Sequence, residues 1–334
     1  MNLPDNPPYL KPIHPNFNRR AFHHDYTRPA KYMITILKNP ELPSFSHIIG
    51  NPASPDTIRI ILSPLGEAIS KAISEWISLY PIFIPTFIIM PDHIHICVDV
   101  IASLPNGFSR AVARVMGKCS SIYHNSLSEE LRPEKMISFF SPGFNDKIAY
   151  TQERWDREIN YTNDNPRRYL IKKLYPDYLR KRWILTVSGN REFVMMGNIF
   201  LLKQPHLFQV KTSRRFTPAE ATQKMEEWKS EIFNGGIPIS PYIHPHEKEL
   251  KNLAIQEGYS YIRICTNGFA ERESPTGIEF ELMAQGRLLL IGQREYSSQK
   301  TDLRYSFAQE MNKLAKEIAD ACNGGEALSI RPLK

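Results

Sequence analysis

Met90-Pro91-Asp92-His93-Ile94-His95-Ile96-Cys97-Val98-Asp99-Val100 is the stretch that decides how this chain is read. After the Met-Pro-Asp break it reads as a β-strand, and strand side chains point to opposite faces in turn. His93 and His95 therefore share one face, and Ile94 and Ile96 take the other. Two imidazoles side by side on a sheet form half of a site for a divalent metal. Cys97 falls on the same face, which keeps a zinc site open, although no fourth ligand stands at a suggestive spacing.

Working outward, Ile82 to Ile89 reads as the strand before the break, so the two make an antiparallel pair. Lys31 to Leu37 is an earlier strand, rich in β-branched and aromatic residues. Between them Ser63-Pro64-Leu65-Gly66-Glu67 starts a helix, with serine as cap and proline at the first position. Ile69, Ile73, Trp76, Ile77 and Tyr80 continue it, and Pro81 stops it. Asn106 to His124 predicts a second amphipathic helix, Phe139 to Tyr150 a hairpin around Pro142-Gly143, and Glu153 to Leu174 a third helix. Strands in antiparallel pairs separated by helices predict an α+β domain, with helices packed on an antiparallel sheet.

From Trp183 onward the pattern changes. Short strands are expected at Trp183–Val187, Phe193–Met196, Gly235–Pro241, Tyr261–Cys265 and Arg287–Ile291. Helices are expected at Thr217–Phe233, Pro245–Glu257 and Ser306–Cys322. Alternating helices and near-continuous apolar strands predict a parallel, doubly wound α/β sheet of Rossmann-like type. The expected division is an arm over 1–30, a first domain over 31–182 and a second over 183–334.

The composition suits two globular cores. The chain has 334 residues, 42% hydrophobic and 11% aromatic, long enough for two domains. No apolar run is long enough to span a membrane, and the proline-rich first twenty residues lack the apolar core of a secretory signal. Cys97, Cys119, Cys265 and Cys322 have no CxxC spacing, which suits reduced thiols and a cytoplasmic setting. Residues 1–185 hold 23 Lys and Arg against 17 Asp and Glu, whereas 186–334 hold 19 against 18. A basic first half suggests a polyanionic partner.

The third predicted helix contains Tyr161-Thr162-Asn163-Asp164-Asn165-Pro166. Tyr161 and Asn165 are four apart and so lie one turn from each other on one helix face. Asn165 can offer a carbonyl oxygen to a hard cation, and Tyr161 can place a phenolic oxygen beside it. Two histidines and one oxygen ligand leave coordination positions open, which suits Lewis-acid phosphoryl chemistry with a tyrosine nucleophile. Pro166 opposes helical geometry at Asn165, which sets a kink against the simple four-residue argument. Tyr150, Tyr169, Tyr175 and Tyr178 are rival nucleophiles without so apt an oxygen ligand. Arg110 on the second helix and Arg154, Arg157, Arg167, Arg168 and Lys172 on the third are candidates to follow a DNA backbone. Tyr26, Phe140 and Trp155 are candidates either to stack bases or to pack in the core.

Pro91-Asp92-His93-Ile94-His95 resembles the histidine–hydrophobe–histidine (HUH) motif of single-tyrosine transposases. Tyr161 through Asn165-Pro166 resembles the corresponding segment of REP-associated tyrosine transposases, over roughly residues 25–180. The chain departs from that pattern at Thr162-Asn163, where Ile-His is common, and in its long second half. The resemblance implies that His93, His95 and Asn165 bind Mg²⁺ or Mn²⁺ and that Tyr161 attacks single-stranded DNA, hairpin-forming DNA included. A 5′-phosphotyrosine and a 3′-hydroxyl would result. It also implies a homodimer, and a cytoplasmic protein that joins the nucleoid when bound to DNA.

The second half, from Gly235-Gly236-Ile237-Pro238-Ile239-Ser240-Pro241 through Glu247-Lys248, resembles the Rossmann-like fold of DNA-processing protein A (Smf). Asn267-Gly268-Phe269, Pro275-Thr276-Gly277 and Gly286-Arg287-Leu288 continue the likeness. Ligands of such folds sit at the carboxyl ends of the strands, where Ser240, Glu247, Lys248 and Asn267 would gather. Two other classes stay open: a DNA-binding regulator without catalysis, and a nucleotide- or single-stranded-DNA-binding sensor acting through this half.

Overall fold

In a computed structural model of the chain, the described residues are 21, 23–131, 138–213, 215–271, 273–297, 305–324 and 328–333. Most of the expected N-terminal arm, residues 1–20, and residues 132–137 of the loop before Phe139 lie outside them. The chain divides into two compact units, Met1–Lys173 and Leu174–Lys334. The division falls before the expected 182/183 because the intervening segment is tied to the second unit. Arg182 N–H donates to Met195 (3.3 Å), and Lys181 Nζ donates to the Phe269 carbonyl (2.9 Å).

The first unit contains β1 (Ala30–Leu37), β2 (Ser46–Ile49), β3 (Arg59–Leu62), α1 (Pro64–Leu79), β4 (Ile82–Ile89), β5 (His93–Val100), α2 (Phe108–Ser126), β6 (Asn145–Ala149) and α3 (Gln152–Leu174). β4, β5, β1 and β6 form one antiparallel sheet in that order, and β2 and β3 form a separate hairpin. Strand alternation splits the sheet into two chemically different faces. Tyr32, Ile34, Ile36, Ile94, Ile96, Val98 and Val100 point into the main core, which they share with the apolar sides of α1 and α2. Met33, Cys97 and Ala149 point the other way and pack with Trp155 of α3.

Local chemistry accounts for the helix ends. Ser63 Oγ accepts from the Gly66 N–H (3.3 Å) with Pro64 at the first position, as a serine cap should. Gly66 has a second role: a Cβ there would meet the Phe45 carbonyl oxygen at 2.2 Å, so α1 starts against bare backbone. α3 runs unbroken through Pro166, although the proline removes the N–H that would bond the Thr162 carbonyl. One expectation is corrected. Residues 139–150 do not form a hairpin; β6 pairs with β1, and Phe140 bridges Lys38, the residue after the end of β1. Phe139, Phe140 and Phe144 are all buried, and sinking these rings into the core carries the segment onto the open edge of β1.

The second unit contains β7 (Trp183–Val187), β8 (Arg191–Gly197), β9 (Leu207–Gln209), α4 (Pro218–Phe233), β10 (Ile237–Ser240), α5 (Pro245–Gln256), β11 (Tyr261–Ile264), α6 (Gly277–Ala284), β12 (Leu288–Gln293), α7 (Tyr305–Cys322) and β13 (Ser329–Pro332). Its seven strands lie in the order β13-β7-β8-β12-β11-β10-β9. The α/β character stands, but the sheet is mixed rather than parallel throughout. β12, β11, β10 and β9 run parallel, whereas β8 opposes β12 and β7, and β13 opposes β7. The turn Ser188–Asn190, with Gly189 at φ 70° and Asn190 at φ 55°, is too short for a crossover, so β8 must return beside β7. Among the described residues, no helix is long and apolar enough to cross a membrane.

Candidate active site

The polar face of β5 carries the site. β1 pairs with β5 so that Thr35 stands opposite His95, and Thr35 Oγ1 lies 2.9 Å from His95 Nδ1. Asp92 Oδ1 lies 2.7 Å from His93 Nδ1. That hydrogen bond is the main reason the Asp92 carboxyl is held below its usual range, with burial opposing it. Each ring is thus anchored through Nδ1, and the two Nε2 atoms converge to 3.1 Å. Ligands about 2.1 Å from one cation at right angles stand about 3.0 Å apart. The pair therefore already has the spacing of two adjacent ligands.

The hydrogen-bond inventory permits this use. In its neutral form His93 donates Nδ1–H to Asp92 and keeps a lone pair on Nε2. His95 is 6% exposed, and burial first, then the charges of His93 and Lys147, push its pKa down to about 3. It is a neutral imidazole. Its Nε2–H can donate to His93 while the Thr35 hydroxyl donates to Nδ1. Alternatively, both Nε2 lone pairs can face a shared cation while Thr35 accepts from Nδ1–H. A hydroxyl is the one side-chain group here that serves both tautomers.

Tyr161 is brought to this pair by α3. The helix is fixed on the strand face by Trp155, by Thr162 Oγ1 at 3.4 Å from Cys97 Sγ, and by the Thr86 hydroxyl donating to Asn163. Tyr161 itself is 39% exposed and meets the His95 ring edge-on, with centroids 5.9 Å apart. Two cations lie over its ring: Lys147 Nζ of β6 at 5.2 Å and the Arg168 guanidinium at 5.7 Å. Lys147 is also paired with Glu158, one turn before Tyr161 (3.3 Å). Asn165 is buried, and its Nδ2 donates to the Tyr161 carbonyl (2.8 Å), so Oδ1 is the end able to bind a cation.

Other expected residues fall elsewhere. Among the described residues, no three His, Cys, Asp or Glu side chains form a group able to hold a metal, so Cys97 does not complete a zinc site with the histidines. It is buried against Met33 and Trp155, and burial pushes its thiol pKa up. Phe140 and Trp155 are core residues rather than base platforms, at 4% exposure each, and Tyr26 donates to Asp146 (2.8 Å). Of the basic candidates, Arg168 alone lies over Tyr161 among the described residues. Arg157 pairs with Glu153 (2.8 Å), and Arg167 grips Asp164 through two bonds of 2.6 and 3.0 Å. Arg110, Arg154 and Lys172 are exposed on α2 and α3. Asp92, Thr35 and Lys147 were missed. Asp92 adjoins His93 in sequence, whereas Thr35 and Lys147 reach the site only through strand pairing.

In the second unit, Ser240 and Glu247 come together, but as a scaffold. Glu247 is 2% exposed and accepts from the N–H groups of Thr212 (2.9 Å), Ile243 (2.9 Å) and His244 (3.2 Å). Ser240 Oγ lies 3.4 Å from it and accepts from the Tyr242 N–H (2.9 Å). The cluster organises the loop from β10 into α5. Lys248 makes no side-chain bond to it among those described, and Asn267 instead ties its own loop to Ser297.

No protein-family model matches this chain, and no curated protein does either. Among solved structures it is similar to one titled "Structure of the REP associates tyrosine transposase bound to a REP hairpin". The identity is 13%, the TM-score 0.30, and the match covers 45% of this chain and 74% of that one. This is a distant likeness.

Proposed function

We propose that the first unit cleaves and rejoins single-stranded DNA through a 5′-phosphotyrosine on Tyr161, with a divalent cation, Mg²⁺ or Mn²⁺, held by His93, His95 and Asn165 Oδ1. The observation that carries the reading is the convergence of two anchored imidazole nitrogens at 3.1 Å beside an exposed tyrosine. The cation, when bound, supplies Lewis-acid polarisation of the scissile phosphate. The protein's own groups do the rest. Tyr161 Oη attacks phosphorus, the P–O3′ bond breaks, and the departing strand leaves with a 3′-hydroxyl. Lys147 and Arg168, which lie over the Tyr161 ring, offset the charge of the linked phosphate. Attack by a 3′-hydroxyl on the phosphotyrosine reverses the step and joins strands.

The test is incubation of the protein with end-labelled single-stranded DNA and Mn²⁺, followed by a denaturing gel. A covalent protein–DNA band is expected with the natural chain and none with Tyr161→Phe. Equal capture by Tyr161→Phe overturns the assignment. DNA binding with no covalent band at any Mn²⁺ concentration selects the non-catalytic regulator instead.

A further inference from the structure

The second unit opens with Leu174-Tyr175-Pro176-Asp177-Tyr178-Leu179-Arg180-Lys181-Arg182-Trp183, a segment that interleaves aromatic and basic side chains. Tyr175, Tyr178 and Trp183 fold with Phe200 around a cleft of about 330 Å³. The two tyrosine rings lie 22° from parallel with centroids 6.2 Å apart, and Tyr175 and Phe200 are 45% and 53% exposed. Large rings left half in solvent around an opening do not behave as core, and a cluster of them marks a contact site. The cleft is at the small end of ligand sites, which suits one flat ring system rather than a folded partner.

The charged residue of the lining is Asp177, and cations neighbour the lining residues. Lys203 Nζ stands 5.4 Å over the Phe200 ring. Arg182, half-exposed, reaches Asp177 at 3.4 Å, and Arg180, two residues earlier in the chain, is exposed. Aromatic faces for bases and cations for phosphates are the two components of single-strand binding. We infer that this cleft stacks a base of single-stranded DNA while Lys203, Arg180 and Arg182 follow the adjoining phosphates. The choice of single-stranded DNA over another ring-bearing anion rests on the proposed function. The site itself shares no residue with the Tyr161 centre.

The chain carries its own reporter. Trp76, Trp155 and Trp228 are buried, whereas Trp183 lines the cleft. The full-length protein is titrated in EDTA, so that no metal-dependent cleavage intervenes, with a twenty-nucleotide oligothymidylate and with an abasic strand of equal length. Quenching of tryptophan emission by the thymidylate alone is expected, with binding about tenfold tighter than to the abasic strand. Tyr175→Ala with Phe200→Ala should remove the quench and weaken thymidylate binding at least about fivefold, with the thermal midpoint checked to confirm folding. Both positions are surface-exposed, and Lys203→Gln gives a second variant whose expected signature is a shallower salt dependence. Equal affinity for the two strands, or binding without a quench, overturns the inference. So does a quench produced by a synthetic peptide of the proline-rich residues 1–20 but not by DNA, which would make this a proline-recognition cleft. Loss of covalent capture at Tyr161 with the quench intact would overturn the proposed function and leave this site standing.

Discussion

His93 and His95 stand two residues apart on β5, and His244 and His246 stand two residues apart across Pro245 at the start of α5. On the strand, the rings meet at 80° with centroids 4.6 Å apart, and both Nδ1 atoms are held from behind. At the helix start the rings are 5.2 Å apart at 35°, and His244 Nδ1 accepts from the His246 N–H (3.4 Å) as a cap. His246 Nδ1 instead faces Glu249 at 3.7 Å. The second pair spends a lone pair on backbone, whereas the first aims two nitrogens at one point. What separates them is not the spacing but who holds Nδ1: Asp92 before the strand and Thr35 on the partner strand for the first pair, the helix's own N–H for His244.

The proposed Mn²⁺ dependence should separate the two pairs most. His93→Ala with His95→Ala should lower Mn²⁺-dependent capture by on the order of 10³-fold or more, while His244→Ala with His246→Ala leaves it unchanged on the same gel. Equal losses would show that the two pairs are alike after all. Removing the anchors should cost less: Asp92→Asn or Thr35→Val should weaken Mn²⁺ activation about 10- to 100-fold, read as a shift in the Mn²⁺ titration midpoint. On the other side of the comparison the effects are structural. Glu247→Ala strips the acceptor from three buried or half-buried N–H groups and should cost about 3 kcal/mol in urea unfolding of the second unit. His244→Ala removes only the cap, at about 0.5–1 kcal/mol, with no effect on capture.

The elements near the site were legible where one residue type has one physical use. Ser63-Pro64 and Thr217-Pro218 announce helix starts, and both hold: Thr217 and Glu220 form a reciprocal capping box. The alternation of β5 gave the shared face of His93 and His95 directly. Long-range pairing was not legible. Thr35 and Lys147 reach the site because β1 lies beside β5 and β6 beside β1 in the sheet, an order that no local periodicity encodes. The aromatic run from Phe139 looked like a hairpin because its turn residues are local and its true partner, β1, is about a hundred residues away. Ser240 and Glu247 looked like pocket residues because carboxylates at strand ends often are. Only burial shows that Glu247 is occupied by backbone.

β13 has a consequence of its own. It pairs with β7, Trp183 standing opposite Pro332, and the Leu333 N–H donates to the Arg182 carbonyl (2.7 Å). The first and last described strands of the second unit are hydrogen-bonded neighbours. Adjoining first and last strands make a module portable: it can be spliced into a surface loop of another protein, or have its ends joined and reopened elsewhere, without unpicking its sheet. A fold built that way can be handed from one fusion to another as a single piece.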